Sequence, residues 1–184
     1  NNYLLSHFWD SENGGFYITS DTAESPIVRK KEIYDGAIPS GNSVAIMNLL
    51  RLGRMTGNPE LENKASDAMK AFSKSLSRNP LASTYSMQAL DFVQGSVNEV
   101  VITGDFQSEH TQNMLKSLRS EFIPRKIVLF KPDNVESPEI VNIAGFTRDM
   151  SSKNGEATAH ICQNYTCNLP TTDVTDMIDS LKNI

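Results

Sequence analysis

The sequence predicts a mixed α and α/β chain, helical over residues 1–95 and a small α/β domain with a mainly parallel sheet over 96–184. Three observations carry this. Between Asn42 and Met55, Val44, Ala45, Ile46, Met47, Leu49, Leu50 and Leu52 fall on nearly every side of a helix, the mark of one buried all round. Asn58-Pro59 and Asn79-Pro80 repeat a helix-start signal, a capping residue followed by a proline at the first helical position. Beyond Val97, Val100-Val101-Ile102 and Ile127-Val128-Leu129-Phe130 are short unbroken apolar runs of the kind that fill a buried parallel sheet.

Taken in order, Asn13-Gly14 is a tight-turn signal, and Phe16, Tyr17 and Ile18 read as a short strand after it. The buried helix from Asn42 comes next. The helix opened by Asn58-Pro59 carries Leu61, Ala65, Ala68, Met69, Phe72 and Leu76 on one stripe, with Glu60, Lys64, Asp67 and Lys74 on the remainder, so it is an outer helix. The helix after Asn79-Pro80 presents Ala82, Tyr85, Ala89, Phe92 and Val93 and stops near Gly95.

In the second part, Ser108 caps a helix between the two apolar runs, with Met114, Leu115, Leu118 and Phe122 as its inward stripe and Pro124 as its stop. Ala157 to Cys162 is a third strand candidate. Val174, Met177, Ile178 and Leu181 mark a final helix. Between Lys131 and Asn154 only Ile140 to Phe146 reads as ordered.

The composition excludes some partners. A formal net charge of -5, with Arg29-Lys30-Lys31 as the one basic run, argues against nucleic acid or an anionic membrane surface. No stretch approaches the roughly twenty apolar residues of a membrane span. Two cysteines are too few for a disulfide-built secreted scaffold, which points to a reducing, cytoplasmic compartment. The chain opens Asn1-Asn2-Tyr3-Leu4-Leu5 without Met, and a truncated or processed beginning is expected.

The residues that carry chemistry cluster in the loops before the buried helix. Trp9, Asp10, Glu12, Tyr17, Glu32, Tyr34 and Asp35 combine aromatic and acidic side chains. Sugars stack their apolar faces on aromatics while carboxylates take their hydroxyls, and two suitably spaced carboxyls perform acid and base work. Glu32 and Asp35 are the candidate catalytic pair; Trp9, Asp10, Tyr17, Tyr34, Ser40 and Asn42 are the candidate ligand-binding residues. The competing reading makes the aromatics wedges between helices and the aspartates turn caps. Ser40-Gly41-Asn42-Ser43 either supplies an anion site at a helix N-terminus or simply caps it, and the cap is favoured.

Cys162 and Cys167 lack the two-residue spacing of a thioredoxin-type pair and have no second pair with which to build a zinc site. Buried structural thiols are favoured over a redox disulfide. His7, His110 and His160 are scattered, and no metal or cofactor is expected. Gly104-Asp105 follows the first strand, where open sheets bind ligands, but no glycine-rich phosphate loop follows.

Gly14-Gly15-Phe16-Tyr17, Lys31 to Ser43, Glu99 to Gly104, Phe146 to Met150, and Ala157-Thr158-Ala159 with both cysteines and Leu169-Pro170-Thr171 resemble the carboxyl-terminal part of the thioredoxin-domain-containing family that includes spermatogenesis-associated proteins and bacterial homologues. The resemblance covers essentially the whole chain. It implies a parent with an amino-terminal thioredoxin-like domain and an alpha/alpha toroid similar to N-acylglucosamine 2-epimerases and six-hairpin glycosidases. This chain would hold the last toroid helices and the α/β appendage.

The expected function is then a portion of a carbohydrate-enzyme-like protein of unestablished activity, contributing acid and aromatic loops to a pocket for a small-molecule ligand of sugar type. Its expected partners are the missing toroid and thioredoxin-like regions. If an enzyme, it would be of the sugar epimerase, isomerase or glycosidase kind, although epimerase chemistry generally uses histidines that this chain does not bring together. The alternative is a non-catalytic binding or scaffold module serving the thioredoxin-like domain, and a dithiol role for the cysteines is the third reading.

Overall fold

The structure, a computed structural model, describes residues 1–24 and 28–182. The chain forms two compact units, one made of Asn1–Gly53 and Asn58–Val93, the other of Arg54–Gly57 and Gln94–Ile184.

The first unit begins with α1 (Asn2–His7), followed after a long connection by α2 (Gly41–Thr56), whose end from Arg54 belongs to the second unit, α3 (Pro59–Ala71), α4 (Ser73–Arg78), a 3-10 turn at Pro80–Ser83 and α5 (Thr84–Gln94), whose last residue also belongs to the second unit. The α2 helix is the buried one that its sequence demands: Ile46, Leu49 and Leu50 are at most 2% exposed. Asn58 caps α3 by accepting the Glu60 amide at 3.0 Å, which satisfies one of the amides left over at a helix start. Ala65 and Ala68 are the fully buried positions of α3, small enough to let it lie close to its neighbours.

The single helix expected through Leu76 breaks at Phe72, whose carbonyl accepts both the Ser75 and Leu76 amides. Packing decides this break. The buried Phe72 ring lies against Gly15, where an added Cβ would come within 3.0 Å of it. Phe16 to Ile18 do not form the expected strand either. Trp9 bridges Phe16 and Tyr17 bridges Lys31, so adjacent residues pair with different segments and no ladder extends.

The second unit is α/β. It contains β1 (Asn98–Gly104), α6 (Glu109–Ser120), β2 (Lys126–Pro132), a single-turn α7 (Ile140–Ile143), a 3-10 turn at Gly145–Thr147, β3 (Thr158–Gln163), β4 (Thr166–Cys167) and α8 (Val174–Lys182). The strands lie in the order β2-β1-β3-β4. β1 and β2 run parallel, as their apolar runs and intervening helix imply, from Asn98 opposite Lys126 to Gly104 opposite Pro132.

The third strand is where expected but joins β1 antiparallel, Val101 opposite His160, so the sheet is mixed and its parallel part is the β1–β2 pair. An apolar run buried on both faces does not encode direction. α6 and α8 cover one face through Met114, Leu115, Leu118, Met177, Ile178 and Leu181, against Val100, Ile102, Ala159 and Ile161. Phe122, expected on the inward stripe of α6, lies past its end at Ser120 and is 91% exposed.

The cysteines also differ from the favoured expectation of free buried thiols. Cys162 and Cys167 sit directly opposite one another across the β3–β4 hairpin and form a disulfide. Cross-strand register brings them together, a relation that their spacing along the chain does not display.

Candidate functional site

The loop pair before α2 is organised around two aspartates. Asp10 is 5% exposed. One of its oxygens accepts the Glu12 and Asn13 amides, each at 3.0 Å, and the other takes the Tyr17 hydroxyl at 2.9 Å and the Lys31 ammonium at 2.6 Å. Burial opposes ionisation of Asp10, but Lys31 and these donors outweigh it and hold the carboxyl well below the usual carboxylate range. The same hydrogen bond to Asp10 raises Tyr17.

Gly14, at φ 73°, makes the turn inside this knot; a Cβ there would meet the Asp67 carbonyl oxygen at 2.7 Å, so the turn can approach α3 only as glycine. Lys31 donates to the Gly14 carbonyl at 2.7 Å as well. Arg29 closes the knot from outside. Its guanidinium lies 4.1 Å from the Tyr17 ring centre and donates to the His7 and Thr19 carbonyls.

Asp35 is a joint between helices. One carboxylate oxygen accepts the Ser40 amide at the start of α2 and the other the Tyr85 amide at the start of α5, both at 2.8 Å. Partial burial works against the charge, and the amides, helped by the Ser43 hydroxyl, overcome it to lower the pKa. Ser40 caps α2 through the Ser43 amide at 3.1 Å, and Ser43 continues to Ser86 at 2.8 Å. The helix start read as a possible anion site therefore already has an anion, Asp35, and the cap reading describes it.

Asn42 staples the loops to α2. Its oxygen accepts the Phe16 amide at 2.7 Å, and its nitrogen donates to the Phe16 and Glu32 carbonyls at 2.8 Å. Trp9 stacks edge-on to Phe16, with ring centres 5.0 Å apart, and the Lys64 ammonium lies 4.8 Å from its ring. Tyr34 is 61% exposed.

Beside this framework is a cavity of about 300 Å³ lined by Phe8, Phe16, Tyr17, Ile18, Glu32 and Asn42, among others. Of the sequence-predicted site residues it gathers Tyr17, Glu32 and Asn42. Trp9, Asp10, Tyr34, Asp35 and Ser40 are not among its walls. Of the three that it gathers, Asn42 and the Tyr17 hydroxyl are already hydrogen-bonded within the framework, and Glu32 is exposed. Sequence reading missed Phe8 and the structural partner Lys31, which stood in a basic run with nothing to mark its pairing with Asp10.

The remaining candidates lie elsewhere. His7 bonds Asp21 at 2.8 Å, and His160 Nε2 sits 3.1 Å from the Ser151 carbonyl oxygen. Among the described residues, no group of three His, Cys, Asp or Glu side chains could hold a metal ion, and no helix is long and apolar enough to cross a membrane. In the disulfide, Cys167 is exposed while Cys162 is buried.

Among known proteins, no family model matches the chain. It is 33% identical over 167 residues to human spermatogenesis-associated protein 20, covering 90% of this chain and 21% of that protein. The Rattus norvegicus protein of the same name gives 33% over 167 residues and the Mus musculus one 32% over 168. The chain is thus homologous to a stretch of spermatogenesis-associated protein 20, and spans about a fifth of the length of the curated relatives that it matches.

Proposed function

We propose that this chain is the carboxyl-terminal portion of a carbohydrate-enzyme-like protein of the thioredoxin-domain-containing family, its helical unit belonging to an alpha/alpha toroid and its loop pair binding a sugar-type ligand. The observation that carries the reading is the cavity whose walls include Phe8, Phe16 and Tyr17 together with the exposed Glu32. The partly exposed Phe8 and Tyr17 offer stacking surface to a pyranose face, and a single carboxylate accepts its hydroxyls. The role is binding. Asp35, engaged by two helix starts, positions the loop, while acid–base work by a Glu32–Asp35 pair would require a second free carboxyl. The site works in the cytoplasm alongside the rest of the toroid and the thioredoxin-like region.

The test is a calorimetric titration of the intact protein with neutral mono- and disaccharides, wild type against Glu32→Gln. Binding that weakens about tenfold in Glu32→Gln supports the reading, the loss of one charge-assisted hydrogen bond. Absence of saccharide binding, or binding indifferent to the substitution, overturns it.

The dithiol reading has one observation of its own, a disulfide with an exposed member, Cys167. Exchange with an external thiol would begin at that sulfur, since Cys162 is 1% exposed. Thiol titration before and after reductant tests it: two sulfurs released by a dithiol under native conditions support the role, and a disulfide that resists until unfolding overturns it.

A further inference from the structure

In the second unit, the crevice past the carboxyl end of the parallel β1–β2 pair is open. There a cleft of about 660 Å³ is walled by the end of β2, the loop that follows it and the segment 148–152. Open α/β sheets place ligands outside the carboxyl ends of their parallel strands, because the strand ends leave a crevice that loops can line. Its lining is mixed: Pro138 is buried, Val141 and Met150 are half-buried, and Arg148, Glu136 and Ser151 are exposed.

The cleft is braced by a half-buried cation. Lys131 directs its ammonium into the turn beneath, donating to the carbonyls of Thr147, Arg148 and Met150 at 3.0, 2.7 and 2.5 Å. This clamp fixes the backbone of Arg148, and no carboxylate neutralises the ammonium among the described residues. Asp133, the nearest acidic wall residue in sequence, accepts the Ser152 amide at 3.2 Å, while its own amide donates to the Gly104 carbonyl at the end of β1. The Arg148 guanidinium has no side-chain ion pair or hydrogen bond among the described residues. Arg148 belongs to a clamped turn that lines the cleft, and the Lys131 ammonium bonds its backbone carbonyl.

We propose that this cleft is a binding site for a small polyhydroxylated oxyanion, a phosphomonoester or carboxylate, with Arg148 as its anchor. A planar guanidinium forks onto phosphate or carboxylate oxygens, and Lys131 adds positive potential without giving up its carbonyls. Glu136 and the Ser137 and Ser151 hydroxyls stand on the same walls to take the ligand's hydroxyl groups. An anion without hydroxyls would meet Glu136 as a repulsion, which selects for both functions on one skeleton. The site is separate from the Glu32 cavity, and its test uses no sugar.

Three probes share a three-carbon skeleton: glycerol 3-phosphate, glycerate and glycerol. Calorimetry on the intact protein is expected to show binding of one or both anions and none of glycerol, with the preferred anion identifying phosphate or carboxylate as the source. Arg148→Ala should weaken it at least tenfold and Arg148→Lys less, while Lys116→Ala, an exposed lysine on α6 away from the cleft, leaves it unchanged. Backbone amide shifts on titration should centre on residues 148–152. Binding unaffected by Arg148→Ala, reduced equally by Lys116→Ala, or shown equally by glycerol overturns the proposal. Should Arg148→Ala fail to fold, Arg148→Gln is read by the same criteria.

Discussion

Lys31 places its ammonium 2.6 Å from Asp10 Oδ2, joining two segments 21 residues apart in the chain. The pair is largely buried, with side-chain exposures of 20% and 5%. Removing one partner leaves the other as an uncompensated charge, so Asp10→Asn or Lys31→Met is expected to cost about 3–5 kcal/mol near neutral pH. The pH dependence has a definite sign. Asp10 is held below its unfolded value of about 3.9, so its contribution is full above that value and is lost as pH falls through the acid range towards the lowered pKa. Urea unfolding of wild type and Asp10→Asn at pH 7 and at pH 2.5 should show the gap narrowing on acidification; an equal gap at both would refute the assignment.

Asp35 and Glu32 should separate stability from binding. Asp35→Ala removes the acceptor for the Ser40 and Tyr85 amides, two helix starts at about 1 kcal/mol each, for a loss of about 2 kcal/mol. Glu32→Gln changes an exposed side chain and is expected to fall within about 0.5 kcal/mol of wild type. Chemical denaturation gives both values. A destabilisation by Glu32→Gln matching that of Asp35→Ala would mean that Glu32, too, is a structural joint.

This contrast shows what the sequence can and cannot display. Asn58-Pro59 was readable as a helix start because the cap and the proline act within one turn. Val100 to Ile102 was readable as a core strand because every residue in it is apolar, yet nothing in that run says that β3 enters antiparallel at His160. Asp35 was readable as chemically special but not as a double cap, since one of its two partners, Tyr85, is fifty residues away. An acid among aromatics serves a pocket or a joint equally well in one dimension. The Cys162–Cys167 pairing depends on hairpin register in the same way.

The disulfide should stabilise the second unit modestly. It closes a loop with a sequence separation of 5, and chain-entropy reasoning for so short a loop gives about 2 kcal/mol. Thermal unfolding with and without dithiothreitol, alongside Cys167→Ser, should show both perturbations lowering the melting temperature by similar amounts. A melting temperature insensitive to reduction, with two free thiols confirmed by titration, would show that the hairpin holds without the bond.

Glu99 should oppose the acid behaviour of Asp10. It belongs to the second unit with Arg54, is fully buried on β1, and takes the Arg54 guanidinium and the Tyr165 amide, each at 3.3 Å. Burial raises its pKa despite both partners, so over the interval from its unfolded value of about 4.3 up to the raised value the folded state binds the extra proton. Stability from this group therefore falls as pH rises through that interval and levels off above it. Glu99→Gln keeps an oxygen for the Tyr165 amide and abolishes the proton uptake, so the difference in unfolding free energy between wild type and Glu99→Gln should slope with pH only in that interval. Arg54→Met removes the guanidinium, pushes the carboxyl further up, and extends the upper end of the sloping interval to higher pH, with a loss of about 3–5 kcal/mol at neutral pH. Since Arg54 also holds Asn164 at 3.0 Å, the position of the slope, and not the size of the loss, is the diagnostic readout. A slope in Arg54→Met that ends at the same pH as in wild type would show that the guanidinium does not set the protonation of Glu99.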